Sequence, residues 1–104
     1  MFTTLKQVTR FELEGRELID VIKKETGRLI DGAEVPGDDS QGWLRIRVNK
    51  DSIDEYFFEE YNEMLAGNET DHYDPETFYE VFLCLKCQAG LIPEGMYHVH
   101  FTWG

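Results

Sequence analysis

The chain predicts an α+β fold: three helices packed on one face of a mainly antiparallel sheet of about four strands, in the order β-α-β-β-α-α-β. Three observations predict it. Period-two alternation of apolar residues marks strands near both ends of the chain and in its middle. Apolar residues recur at helical spacing in three intervening segments. Two of those segments open on strong helix-start patterns, at Ser52 and at Asp74.

From Val8 to Leu13 the run Val-Thr-Arg-Phe-Glu-Leu sets Phe11 and Leu13 two apart, as in a half-buried strand that ends at Glu14. A helix over roughly 16 to 26 follows, with Leu18, Ile19 and Ile22 as its apolar stripe and Gly27 as its stop. Ala33 to Val35 reads as a short strand. Pro36 to Gly42 is built of turn-forming residues, and Trp43 to Val48 returns as the second arm of a hairpin. Leu44, Ile46 and Val48 face the core on this reading. Trp43, Arg45 and Arg47 then share the other face, as a solvated surface or an Arg–Trp contact site.

Ser52 with Glu55 matches a capping box and opens a helix that runs to Ala66 and Gly67. Ile53, Phe57, Phe58, Tyr61, Met64 and Leu65 fall in one sector of it, and Glu55, Glu59 and Glu63 line up on the far side. Asp74-Pro75-Glu76 starts a third helix, which runs to about Ala89 and Gly90. Its core stripe is Phe78, Phe82, Leu85 and Ala89. Tyr79, Leu83, Cys84 and Cys87 make the rest apolar too, so this helix is either central or part of an interface. The C-terminal strand alternates Tyr97, Val99, Phe101 and Trp103 with Met96, His98, His100 and Thr102.

With 104 residues, 41% of them apolar and 13% aromatic, residues 1–104 are expected to form a single domain with one core. No apolar leader and no run long enough to cross a bilayer are present, and two cysteines make no disulfide framework. A cytoplasmic protein without membrane contact is the expectation.

Charge is the feature that bears on function. Asp51 to Glu80 holds eleven acids and no Lys or Arg, whereas the other 74 residues balance ten acids against ten bases. A net charge of -11 argues against direct contact with nucleic acid or anionic lipid and for a basic partner. Carboxylates at i and i+4 with no interleaved Lys repel one another by roughly 0.2 to 0.5 kcal/mol per pair, a cost that a helix selected for stability alone would avoid. At about 1.5 Å of rise per residue, the six acids from Asp51 to Glu63 place one charge per roughly 3.6 Å, beside about 3.4 Å along a DNA strand. Carboxylates would stand in for phosphates, with Tyr56, Tyr61 or Tyr73 offering rings in place of bases. The expected contacts are Asp54, Glu55, Glu59, Glu60 and Glu63, with Asp71 and Asp74 in support.

Other constellations are weaker. Cys84-Leu-Lys-Cys87 with His98 and His100 carries zinc-ligand residue types, but a CxxC pair deep in a helix lacks the tight turn that zinc sites use. It also lacks the helix N-terminus that redox cysteines need. Asp38-Asp39, Asp54-Glu55 and Glu59-Glu60 have no nearby Lys for metal-assisted phosphoryl chemistry. Ser40, Ser52 and His72 form no nucleophile–base pattern. Neither an enzyme nor a cofactor is expected.

The run from Phe11 to Gly27, Phe-Glu-Leu-Glu-Gly-Arg-Glu-Leu-Ile-Asp-Val-Ile-Lys-Lys-Glu-Thr-Gly, followed by Asp31-Gly-Ala-Glu-Val35, resembles the opening of many small phage-encoded proteins. It covers about a quarter of the chain. Together with small size and acidity it resembles the anti-CRISPR and other anti-defence proteins of phages. Several of these present acidic surfaces to nucleic-acid-binding sites. They share no common motif, so no residue role is carried over. The resemblance implies a cytoplasmic inhibitor, acting in the host cell if phage-encoded, that binds a basic nucleic-acid-handling protein or complex such as a CRISPR-Cas effector. Two alternatives stand beside it. One is a structural or interaction module, with the third helix or the Tyr97/Val99/Phe101/Trp103 strand as its homodimer contact. The other is a small zinc module using Cys84, Cys87, His98 and His100.

Overall fold

The computed structural model describes residues 10–51, 53–67 and 73–103. Six elements follow in order: β1 (Arg10–Glu14), α1 (Gly15–Thr26), β2 (Gln41–Val48), α2 (Glu55–Ala66), α3 (Pro75–Gln88) and β3 (Gly95–Thr102). The α+β class and the three helices are as expected. Among the described residues the sheet has three strands rather than about four, and it is mixed: order β1-β3-β2, with β1 parallel and β2 antiparallel to β3. The Val8 end of the first expected strand lies outside the described residues.

Ala33 to Val35 forms no strand, and the reason is local. A tight turn at Asp38–Gln41 joins this segment to β2. The Asp38 carboxylate holds that turn by accepting from Ser40 N at 2.8 Å, from Gln41 N at 3.0 Å and from the Ser40 hydroxyl. Beyond the turn, pairing is limited to a Gly37–Gly42 bridge and one bond from Trp43 N to Pro36 O at 3.0 Å. Pro36 has no N–H to donate, so the ladder stops there. Ala33 and Val35 still pack, half-buried, against the core.

The strands obey the period-two rule. In β2, Leu44, Ile46 and Val48 are buried while Trp43, Arg45 and Arg47 are exposed. β3 lies in the middle, with Tyr97 and Val99 buried on the core face and Met96, His98 and His100 half-buried on the other. α1 packs on β3 and β1, and α3 packs on β2. One cluster of buried side chains fills the space between helices and sheet, built from Leu18, Ile22, Ile30, Leu44, Ile46, Val48 and the apolar residues of α3 and β3.

α1 is as the sequence predicts: Leu18 and Ile22 are buried, and Gly27 ends the helix in the left-handed region, its N–H bonding Lys23 O at 2.8 Å. In α2 the cap is Asp54 rather than Ser52, which lies outside the described residues. The Asp54 carboxylate accepts from Tyr56 N and Phe57 N. The other end of α2 is held from outside. The Arg28 guanidinium donates to Leu65 O and Ala66 O, each at 3.0 Å, a favourable place for a cation because the last carbonyls of a helix are its negative end. Gly67 follows at φ 76, and a Cβ there would run into the Arg28 guanidinium.

α3 starts as predicted, with Asp74 accepting from Glu76 N and from the Thr77 hydroxyl and with Pro75 in the first turn. Of its fourteen residues, nine are buried, so the helix is central rather than an interface. Within the expected stripe Phe78 and Phe82 are buried, Leu85 is half-buried, and Ala89 is exposed as the residue that closes the helix. The Tyr79 hydroxyl donates to Ile30 O at 2.6 Å, tying α3 to the loop after α1. The chain itself covers α3 and the Tyr97/Val99 face of β3, whereas Phe101 is half-buried and Trp103 is exposed. No helix among the described residues is long and apolar enough to cross a membrane.

Candidate interaction surface

α2 rests chiefly on α3, with the Tyr61 ring tilted against Phe78 at 4.5 Å between ring centroids, and not on the sheet. Only Tyr61 and Met64 of α2 are buried. The remaining circumference is free to carry polar residues, and Glu55, Glu59 and Glu63 lie exposed along it. Since the helix begins at Glu55, regular axial spacing covers Glu55 to Glu63, about 12 Å of rise, while Asp51 and Asp54 lie on the segment leading into it.

The remaining expected contacts divide. Asp54 and Asp74 are engaged as helix caps, though both stay at the surface. Glu60 is half-buried and faces a hollow of about 510 Å³ beside Glu34, Tyr73, Asp74 and Glu76. Asp71 lies outside the described residues, as do Glu69 and His72. Tyr61 is a core residue and cannot offer its ring to a partner. Tyr56 is 65% exposed, and Tyr73 is exposed with its hydroxyl donating to Asp31 O at 2.9 Å.

Two features of this surface escaped the sequence reading. Phe57 and Phe58, expected in the core sector, are 40% and 38% exposed. A signal was there: three consecutive aromatic residues, Tyr56 to Phe58, sweep about 200° of a helix, more than one buried face can cover. The second feature is Glu34, which joins the acidic hollow from a distant loop.

None of the described acids of this stretch is in an ion pair with a described cation. Among the described residues the ion pair is Lys86 with Glu25, and Glu14 lies 3.5 Å from His100 Nδ1, both elsewhere. Partial burial, reinforced by the Asp74 charge, pushes the Glu76 carboxyl above its ordinary value. Glu80 moves the same way, from burial first and then from the charges of Glu76, Asp54 and Asp74. Exposed carboxylates thus mark both the outer side of α2 and the start of α3, with exposed rings beside them.

The other residue groups are dispersed. Cys84 and Cys87 are buried on the helix side of the sheet, where burial pushes the Cys84 thiol up and leaves it protonated and inert. His98 and His100 occupy the opposite sheet face beside Trp43. The sheet thus separates the two pairs, and no group of three or more potential ligands occurs among the described residues. Asp38 is the carboxylate of the loop turn, lowered by the hydrogen bonds from Ser40 and Gln41. Ser40 donates to it and faces no base. Comparison with protein-family models, curated proteins and solved structures finds no match to this chain.

Proposed function

We propose that this chain is a small inhibitor-type binding protein, of the kind phages use against host defence. It engages a basic nucleic-acid-handling protein or complex, such as a CRISPR-Cas effector, and blocks its nucleic-acid groove. The observation that carries the reading is the outer face of α2: Glu55, Glu59 and Glu63 in a row, in no ion pair among the described residues, next to the exposed rings of Tyr56, Phe57 and Phe58. Carboxylates meet the arginines and lysines that normally hold phosphates, and the rings supply the apolar contact that gives such an interface residence time. No catalytic step is required, and the partner is held by charge and shape.

Affinity capture from host lysate tests this, with the parent chain and the Glu55→Gln/Glu59→Gln/Glu63→Gln variant side by side at low and high salt. The parent is expected to retain a nucleic-acid-binding complex in a salt-sensitive manner. The variant is expected to bind at least about tenfold more weakly, with a flatter salt dependence and an unchanged fold. Equal retention by both chains removes α2 as the contact and the reading with it.

A further inference from the structure

The sheet face turned away from the helices carries chemistry of the opposite kind. Strand register sets Glu12, His98 and Arg45 in one row across β1, β3 and β2, with Arg10 and Met96 in the row beside it. Long side chains rise from the two edge strands around the shorter, half-buried residues of the central one. They leave a hollow of about 610 Å³ lined by Arg10, Glu12, Trp43, Arg45, Met96 and His98. That volume is in the usual range for a small-ligand site.

We infer that this hollow binds a nucleoside phosphate. Arg10 and Arg45 are in no ion pair among the described residues, although the chain holds 21 acids, and a guanidinium is a planar fork matched to phosphate oxygens. Trp43, 40% exposed, is held by His100 at 4.4 Å between ring centroids, which leaves its outer face for a base to stack on. Glu12 supplies an acceptor for a sugar hydroxyl or an exocyclic amine. Cation, ring and acceptor together fit a nucleotide better than a bare phosphate, which uses only the first, or an uncharged aromatic, which uses only the second.

The next row of the same sheet face is tied together. His100 bridges Gln41 Oε1, at 2.8 Å from Nε2, and Glu14, at 3.5 Å from Nδ1. With three strands about 4.8 Å apart, the floor is about one nucleotide wide. The net negative charge of the chain does not oppose this. α2 packs on α3, which packs on the helix side of the sheet, so the acids of α2 and the open face are on opposite sides of the core, and charges are screened over about 8 Å at physiological salt.

Titration calorimetry with ADP, with AMP and with inorganic phosphate tests the inference, alongside Trp43 fluorescence in a Trp103→Phe background. ADP is expected to bind at one site per chain and quench Trp43. Phosphate alone, and ADP against Arg45→Gln, are each expected to be at least about tenfold weaker. Trp43→Leu should weaken ADP and AMP alike while leaving the weak phosphate affinity unchanged, and circular dichroism of both variants confirms the fold. Absence of heat and of quenching at millimolar ADP overturns the inference. Phosphate binding as tight as ADP, or a preference for oligonucleotide over ADP, overturns it equally.

Discussion

α2 and α3 are neighbours of similar length with the same kind of start, an Asp cap, yet they serve opposite ends. Nine of the fourteen α3 residues are buried, against two of the twelve in α2. α3 spans the core between sheet and α2, so nearly every side chain has a packing duty. α2 lies outside it, anchored through Tyr61 and Met64, and most of its sequence is under no packing constraint. What the difference teaches is where function has room. A helix that contributes little to the core can hold repelling carboxylates and exposed rings without unfolding the protein, and α3 cannot.

The largest effect expected from this contrast is at the ring contact between the two helices. Phe78→Ala removes a side chain with no exposure and should cost about 3 to 5 kcal/mol, a large part of the stability of a domain this size. Phe58→Ala, on the exposed side of α2, should cost less than about 1 kcal/mol. Urea denaturation of the two variants measures both, and similar losses would break the distinction between a core helix and a surface helix.

Next in size is the tie that holds α2 from outside. Arg28→Ala removes two bonds to the last carbonyls of α2 and should cost about 1 kcal/mol. Hydrogen exchange should rise in the last turn of α2 while α3 stays protected. Arg28→Lys should recover only part of the loss, because a single ammonium cannot reproduce the fork.

The smallest effect sharpens the electrostatic side. Glu80 is raised in the folded state by burial and by neighbouring carboxylates, so its protonated form is the one the fold favours. A group raised in this way binds its proton more tightly folded than unfolded. Its stabilising contribution is therefore present near its ordinary value of 4.5 and below, and is lost as pH rises through the raised value. Glu80→Gln should stabilise the protein at neutral pH by a few tenths of a kcal/mol, the size of one i,i+4 repulsion with Glu76, and the gain should vanish in mild acid. Thermal melts at the two pH values check it. A variant less stable than the parent at neutral pH would mean that Glu80 is paired rather than repelled.

The site was legible to the extent that it rests on helical periodicity. Glu55, Glu59 and Glu63 share an exposed line because 3.6 residues per turn puts them there, whatever α2 packs against. Glu34 was not legible, because its approach to Glu60 depends on how the loop after α1 crosses the start of α3. The exposure of Phe57 and Phe58 was missed for a related reason. Their sector suits a core, but only contact with the sheet would have buried them, and α2 meets α3 instead.

By itself the sequence determined the α+β class, the presence of three helices, the Asp74 cap, the inward and outward faces of β2, and the segregation of charge. All of these follow from local periodicity, capping and composition. Only the tertiary structure decided that the last strand lies in the middle, parallel to β1 and antiparallel to β2, and that Ala33 to Val35 stays outside the sheet. It alone set Arg10, Trp43, Arg45 and His98 around one hollow and parted the cysteines from the histidines. The physical reason is that alternation tells which face of a strand is wet but not which strand it pairs with. That choice comes from burying β3 on both edges, through contacts between residues far apart in the chain.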